Sequence, residues 1–331
     1  MSMSTSSPET KPTAAFSANN VRPNVVVVGS FMMDLIVRTE RIPREGETVI
    51  GKEFQRAPGG KGANQAVAAA RLGGRVTMIG RVGDDLFGQD QIQSLQAAGI
   101  ETRYITIDSE APSGVGSVTV DMSTGNNRII IVPGANMRCT PEDVDRAAAA
   151  LEQADVILLQ CEIPQEVNLH VLRRAKQLGK PVIFNPAPAR PLDQETLELV
   201  TVLTPNETEA EALTGIEIRT VEDAERAAQR LREQGVQTVI ITLGEKGSLL
   251  YDEAGPKLSP AWPVDVVDPT AAGDAFNGAF AVAYAKGMPV DEALRFANAA
   301  GALTVTGIGA QPSIPTLERL EAFMREKGQS V

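Results

Sequence analysis

Short apolar runs alternate along this chain with longer stretches of helical spacing, and no other feature limits the fold so strongly. The runs fall at residues 25–28, 76–79, 156–159, 182–184, 202–203 and 239–242. Between them, residues 63–72, 85–98, 141–153, 164–178, 207–213 and 221–234 repeat apolar side chains at helical intervals, with Glu and Lys interspersed. Runs of that length suit strands buried on both faces, so the alternation predicts an α/β fold: a mostly parallel, doubly wound sheet with helices on both sides. Ligands then bind at the carboxyl ends of the strands.

Two stretches interrupt the rhythm. Residues 31–58 hold β-like runs and no clear helix. Residues 113–133 read as two strands around Gly125, Asn126 and Asn127. A small β-sheet lid overhanging the strand ends accounts for both, with segments at about 31–60 and 111–133; a plain edge extension of the core sheet is the other reading. Residues 1–22 read as a disordered tail, being rich in Ser, Thr, Ala and Pro, and 23–331 as a single catalytic domain.

Composition removes several classes of function. A net charge of −11 argues against nucleic acid or an anionic membrane as the general partner, though not against a small anionic ligand. No apolar run is long enough to span a bilayer. Cys139 and Cys161 form no metal-type spacing and suit a reduced, cytoplasmic protein. With His170 as the only histidine, neither a Ser-His-Asp triad nor a histidine-rich zinc site can form. A general base must therefore be Asp, Glu, Lys, Tyr or Cys.

The segment 268–280, DPTAAGDAFNGAF, carries most chemistry. A helix over 275–285 would place Asp274 at or near its N-cap. The small residues Ala271, Ala272 and Gly273 would let backbone amides approach a phosphate at the positive helix end. A carboxylate beside such a site can take a proton from an attacking alcohol; the plain alternative is a helix cap and nothing more.

Other loops also allow two readings. Gly59, Gly60, Lys61, Gly62, Ala63 and Asn64 precede a helix rich in small residues. They are no Walker A loop, since Gly62 follows the lysine, and they read as a ligand loop or a flexible turn. Gly29 to Asp34 departs from the dinucleotide fingerprint, which counts against a dehydrogenase. Asp34 follows the first strand, as a sugar-diol acceptor or a loop acid. Asn206 and Glu209, three apart at a helix start, suit magnesium through water or merely the helix dipole. Thr242, Leu243, Gly244, Glu245, Lys246 and Gly247 form a nucleotide loop or a tight turn.

Taken in order, these elements resemble the ribokinase family of carbohydrate kinases, from about residue 25 to 323. The resemblance lies in GGKGANQAVAAARLG, the VPGAN ending at Asn136, NPAPAR from Asn185, TPNETEAEALTG from Thr204, ITLGEKG from Ile241, and DPTAAGD. It implies ATP-dependent phosphorylation of D-ribose at the 5-hydroxyl, with another sugar, a sugar acid or a nucleoside as the alternative acceptor. A non-catalytic sugar sensor on the same fold is the rival from another class. Asp274 would be the base, and Ala271, Ala272 and Gly273 the anion hole. Met32, Asp34, Gly60, Lys61, Gly62, Asn64 and Glu162 would bind the sugar. Asn206, Thr242, Gly244, Gly247, Gly273 and Asn298 would meet ATP, and Glu209 would organise Mg²⁺. Asp268, Thr270, Thr304, Gly307, Gly309 and Ser313 would hold a monovalent cation, K⁺. A homodimer through the lid is implied as well. Two departures stand out: Met32 replaces an Asn sugar contact common in the family, and Pro269 replaces a common Thr.

Overall fold

The computed structural model describes residues 21–328. All but the last two residues of the expected 1–22 tail lie outside that range. The chain enters as β1 (Asn24–Val28), leaves for β2 (Met32–Thr39) and β3 (Glu53–Gly59), and returns through α1 (Lys61–Arg71) to β4 (Arg75–Gly83), α2 (Leu86–Ala97) and β5 (Glu101–Asp108). A second excursion makes β6 (Val115–Asp121) and β7 (Asn127–Val132). The chain continues through α3 (Pro141–Asp145), α4 (Ala148–Gln153), β8 (Val156–Leu159), α5 (Gln165–Leu178), β9 (Val182–Phe184), α6 (Gln194–Leu199) and β10 (Val202–Leu203). There follow α7 (Glu207–Thr214), α8 (Val221–Glu233), β11 (Thr238–Thr242), the hairpin β12 (Ser248–Asp252) and β13 (Gly255–Ser259), then α9 (Ala272–Ala285), α10 (Val290–Thr304) and α11 (Leu317–Glu326).

Among the described residues, nine strands form one sheet in the order β13-β12-β11-β10-β9-β8-β1-β4-β5. It is parallel from β11 to β5, and the β12–β13 hairpin adds two antiparallel strands at one edge. Both faces are buried, as the unbroken apolar runs require. Val25 and Val27 pack with α1, α9 and α10 on one side, while Val26 and Val28 pack with α5 and α8 on the other. Burying one such side chain fully contributes about 1.5–3 kcal/mol.

The two excursions form a separate four-stranded sheet, ordered β3-β2-β6-β7. It leaves the core at the carboxyl end of β1, where the predicted lid would overhang. Asn136 clamps this crossing: its Oδ1 accepts from Phe31 N at 2.9 Å, and its Nδ2 donates to Phe31 O at 2.7 Å.

Two expectations change. The helix predicted over 141–153 is broken into α3 and α4 around Arg146 and Ala147. The helix carrying Asp274 begins earlier than residue 275. Ala271, left-handed at φ 61°, is its N-cap, so Asp274 lies inside the first turn.

Candidate active site

Three strand ends and the first turn of α9 enclose a cavity of about 190 Å³, lined by Lys61, Asn185, Thr204, Asn206, Glu209, Thr242, Ala271, Ala272, Gly273 and Asp274, among others. A larger, more open cavity of about 460 Å³ lies between the small sheet and α2, lined by Met33, Arg56, Pro58, Asp90, Gln93 and Ser94. None of the residues predicted for the site lines it.

Asp274 is buried at the inner end of the smaller cavity. Its Oδ2 accepts from Asn64 Nδ2 at 3.0 Å, and its Oδ1 from Gln65 Nε2 at 3.1 Å. Burial pushes this carboxyl above its ordinary range; Lys61, Asn64 and Gln65 pull the other way without cancelling it. The amides of the first turn of α9 have no carbonyl partner within the helix. A side chain at Gly273 would meet nothing within 4 Å. Nothing in the protein thus demands a glycine there, whereas an anion approaching those amides needs the open space.

The glycine loop is placed by close backbone packing. Gly60 has φ 93°, and a Cβ on it would lie 2.7 Å from Met32 N. On Gly62 a Cβ would lie 2.7 Å from the Gly29 carbonyl carbon. Larger residues would lift the start of α1, with Lys61 and Asn64, off the end of β1. Glu162, just beyond β8, accepts from Ser30 Oγ and from Lys61 N, the latter at 3.0 Å. Burial raises its pKa.

Asp34 on β2 has a pKa raised to about 6, first by burial and then by Glu162. Gly59 on β3 gives it room, since a Cβ there would lie 2.6 Å from Asp34 Oδ2. Lys61 is pulled down by burial, but Asp274, Glu162 and Glu209 outweigh that and keep it charged. Met32 is buried with its sulfur against Asn136 Nδ2.

Asn206 and Glu209 cap the start of α7 and also face the cavity. They form a capping box, with Glu209 N donating to Asn206 Oδ1 at 2.8 Å and Asn206 N to Glu209 Oε2 at 2.9 Å, and both line the cavity. Thr242 pairs with Asn206 across a parallel bridge. Gly244 and Gly247 lie in the turn beyond it, outside the cavity lining. Asn298 on α10 donates to Ser259 Oγ at 3.1 Å, and Ser259 packs against Gly247.

The remaining predicted residues form a group of their own. Asp268 Oδ1 accepts from Thr270 N and Oγ1, and its Oδ2 from Gly309 N at 2.8 Å. Ser313 Oγ donates to Gly309 O at 2.6 Å, and Thr304 O accepts from Gly307 N at 3.1 Å. These hydrogen bonds hold Asp268 below the usual carboxylate range despite its burial. The oxygens gathered here, from the Asp268 carboxylate, hydroxyls and carbonyls, are of the kind a hard cation takes. Sequence reading missed Gln160, and it took Gln65, Asn185, Thr204 and Asn277 only as parts of motifs, with no role of their own.

Known proteins resemble this chain over most of its length. Residues 22–317 match the pfkB family carbohydrate kinase. The chain is 43% identical to a ribokinase of Bacillus subtilis over 303 residues, 91% of this chain and 99% of that one. It is 40% identical to a deoxyribokinase of Salmonella typhi over 302 residues, 91% of this chain and 98% of that one. Its fold is similar to that of Arabidopsis thaliana ribokinase complexed with ribose and ATP, with a TM-score of 0.86 and 37% identity, covering 92% of this chain and 99% of the other.

Proposed function

This chain belongs to the pfkB family of carbohydrate kinases, and from that membership and the geometry of its site we infer that it transfers the γ-phosphoryl group of ATP to the 5-hydroxyl of D-ribose. The observation that carries the reading is the buried Asp274 carboxylate, oriented by two amide donors and set in the same first turn as the N-terminal amides of α9. In this reading Asp34, Glu162, Lys61 and Asn64, with the glycines 60 and 62, hold the sugar. Asp274 takes the proton as the 5-hydroxyl oxygen attacks, and the amides of Ala271, Ala272 and Gly273 stabilise charge on the transferring group. Asn206, Thr242, Gly244, Gly247 and Asn298 would line the nucleotide side.

Magnesium bound with ATP would supply charge neutralisation at the phosphates. Glu209 is the residue that would hold it, through water. Asp268, Thr270, Thr304, Gly307, Gly309 and Ser313 would hold K⁺, which would shape the anion loop without touching the phosphate. Turnover is expected to rise when K⁺ replaces Na⁺ at matched ionic strength, and indifference to the swap would count against the site.

A second acceptor, 2-deoxyribose, is favoured by Met32, whose thioether cannot donate a hydrogen bond, and by the likeness to a deoxyribokinase. A sugar panel in a coupled ADP assay tests both. Met32→Asn is expected to raise the ribose-to-deoxyribose ratio of kcat/KM about three- to tenfold, the worth of one neutral hydrogen bond. An unchanged ratio would remove Met32 from specificity.

We read residues 23–331 as one catalytic domain whose lid segments are 31–60 and 111–133. Its partner would be a second copy. The support is strand β7, at one edge of the small sheet, where Ile129, Ile130, Ile131 and Val132 are all exposed. A reduced, cytoplasmic setting agrees with the free, buried Cys139 and Cys161.

A further inference from the structure

We propose that Gln65 is a positioning residue for Asp274, the last member of a buried amide relay that keeps a hydrogen-bond donor aimed at the base. The proposal rests on Asp274 acting as that base. Gln65 does not line the cavity that holds Asp274 and is fully buried beneath it.

The relay has a fixed polarity. It starts at the backbone carbonyl of Thr204, which can only accept. Asn185 Nδ2 donates to that oxygen at 3.0 Å, so its Oδ1 faces the other way. Gln65 Nε2 donates to this Oδ1 at 3.1 Å and to Asp274 Oδ1 at 3.1 Å. A second anchor acts on the other end of the same amide, where Gln160 Nε2 donates to Gln65 Oε1 at 2.8 Å. The backbone of Gln160 is tied in turn, since its carbonyl accepts from Asn168 Nδ2 at 2.7 Å. Turning the Gln65 amide over would set oxygen against oxygen at Asn185, whose orientation the Thr204 carbonyl fixes. It would also leave a buried carboxylate oxygen facing an acceptor.

The relay therefore favours the ionised form of Asp274 with a neutral donor that cannot itself titrate. It leaves the remaining lone pairs of the carboxylate free for a substrate hydroxyl. It also ties the base to the anion loop. Thr204 Oγ1 donates to Asn277 Oδ1 at 2.6 Å, and Asn277 Nδ2 donates to Gly273 O at 2.8 Å. Base and first-turn amides are thus held in one register through Gln65, Asn185, Thr204 and Asn277.

The charged groups around Asp274 are Lys61 at the start of α1, Glu162 beyond β8 and Glu209 on α7, with Asp34 on β2 beside Glu162. All of them remain in a Gln65 variant, so a shift in the pH profile reports the lost donor. The base works ionised, and activity falls as pH drops through its pKa. Removing the donor raises that pKa, so the acid limb of kcat moves to higher pH.

The test compares Gln65→Leu, Gln65→Glu and Asp274→Asn in the full chain, with kcat and KM for ribose and ATP measured across pH. Gln65→Leu is expected to lower kcat about tenfold near neutrality, to move the acid limb up by about one pH unit, and to leave both KM values within about threefold. Gln65→Glu keeps the shape, sets a second acid beside the base and should move the limb further; it carries the test alone if the leucine variant does not fold. An unmoved limb in the folded variants, whether or not kcat falls, overturns the positioning role. Near-normal turnover of Asp274→Asn would instead remove the base assignment. Inactive Asp274→Asn with unchanged Gln65 variants would remove the role of Gln65 alone.

Discussion

Asp274→Asn is expected to lower kcat by about three orders of magnitude while the protein still folds and binds ribose. The substitution keeps the volume of a buried side chain and removes only the ability to accept a proton. Its effect on stability has two opposing parts. Two donors, from Asn64 and Gln65, converge on the carboxylate, and an asparagine can offer an oxygen to only one of them. The unmatched contact costs about 1–3 kcal/mol. Against this, the variant no longer buries a carboxylate whose charged form is disfavoured at this depth. Melting temperature should therefore change little, and calorimetric titration should find ribose affinity within about threefold of the parent, since the sugar is held mainly by groups other than the base. Turnover near that of the parent would exclude Asp274 as the base.

How much of this was readable from the chain depends on the range of the interactions involved. Strands β8, β9 and β10 fall at the predicted residues, because a strand buried on both faces needs an unbroken apolar run and nothing distant changes that. By contrast β5 mixes Glu101 and Arg103 with apolar residues, and its place at the sheet edge lets those side chains reach water. The hairpin of β12 and β13 was missed for a similar reason, since Pro256 and Lys257 suit an edge strand alone. The start of α9 was misplaced because Asp is a preferred cap and a left-handed alanine is rare; local preference pointed to Asp274, whereas the backbone turns at Ala271. Candidate site residues within or beside recognisable motifs, such as Asp34, Lys61 and Asn64, could be named from sequence. Gln65 could not. A glutamine one residue past a glycine loop carries no local signal, and only the fold brings residues 160, 185 and 274 to its amide.

Lys61→Met should be the second most damaging substitution, and its effect should depend on pH. Methionine keeps most of the apolar stem and removes the charge. In the parent that ammonium sits among Asp274, Glu162 and Glu209, and they hold its pKa above the ordinary lysine value despite burial. A pKa raised in the folded state means a stabilising contribution that is complete below the unfolded lysine value, neutral pH included, and is lost as pH rises through the folded value. Without it, three partly buried carboxylates face one another, and the cation that chiefly counters the burial of Asp274 is gone. Their pKa values rise further. An acid whose folded pKa exceeds its unfolded one destabilises the fold as pH climbs between the two, so the deficit is largest from neutral pH up to the ordinary lysine range, shrinks on acidification, and fades again as pH rises through the folded lysine value. Removing one partner from a buried charge group gives a loss of about 2–4 kcal/mol near neutrality. Activity should follow the same sign. With Asp274 harder to ionise and one cation missing beside the anion loop, kcat near neutrality should fall by about two orders of magnitude and recover in part as pH rises. Thermal melts and pH–rate profiles on the folded variant decide the matter. A loss of stability that does not vary with pH, together with an acid limb that stays in place, would show that Lys61 does not set the charge state of this site.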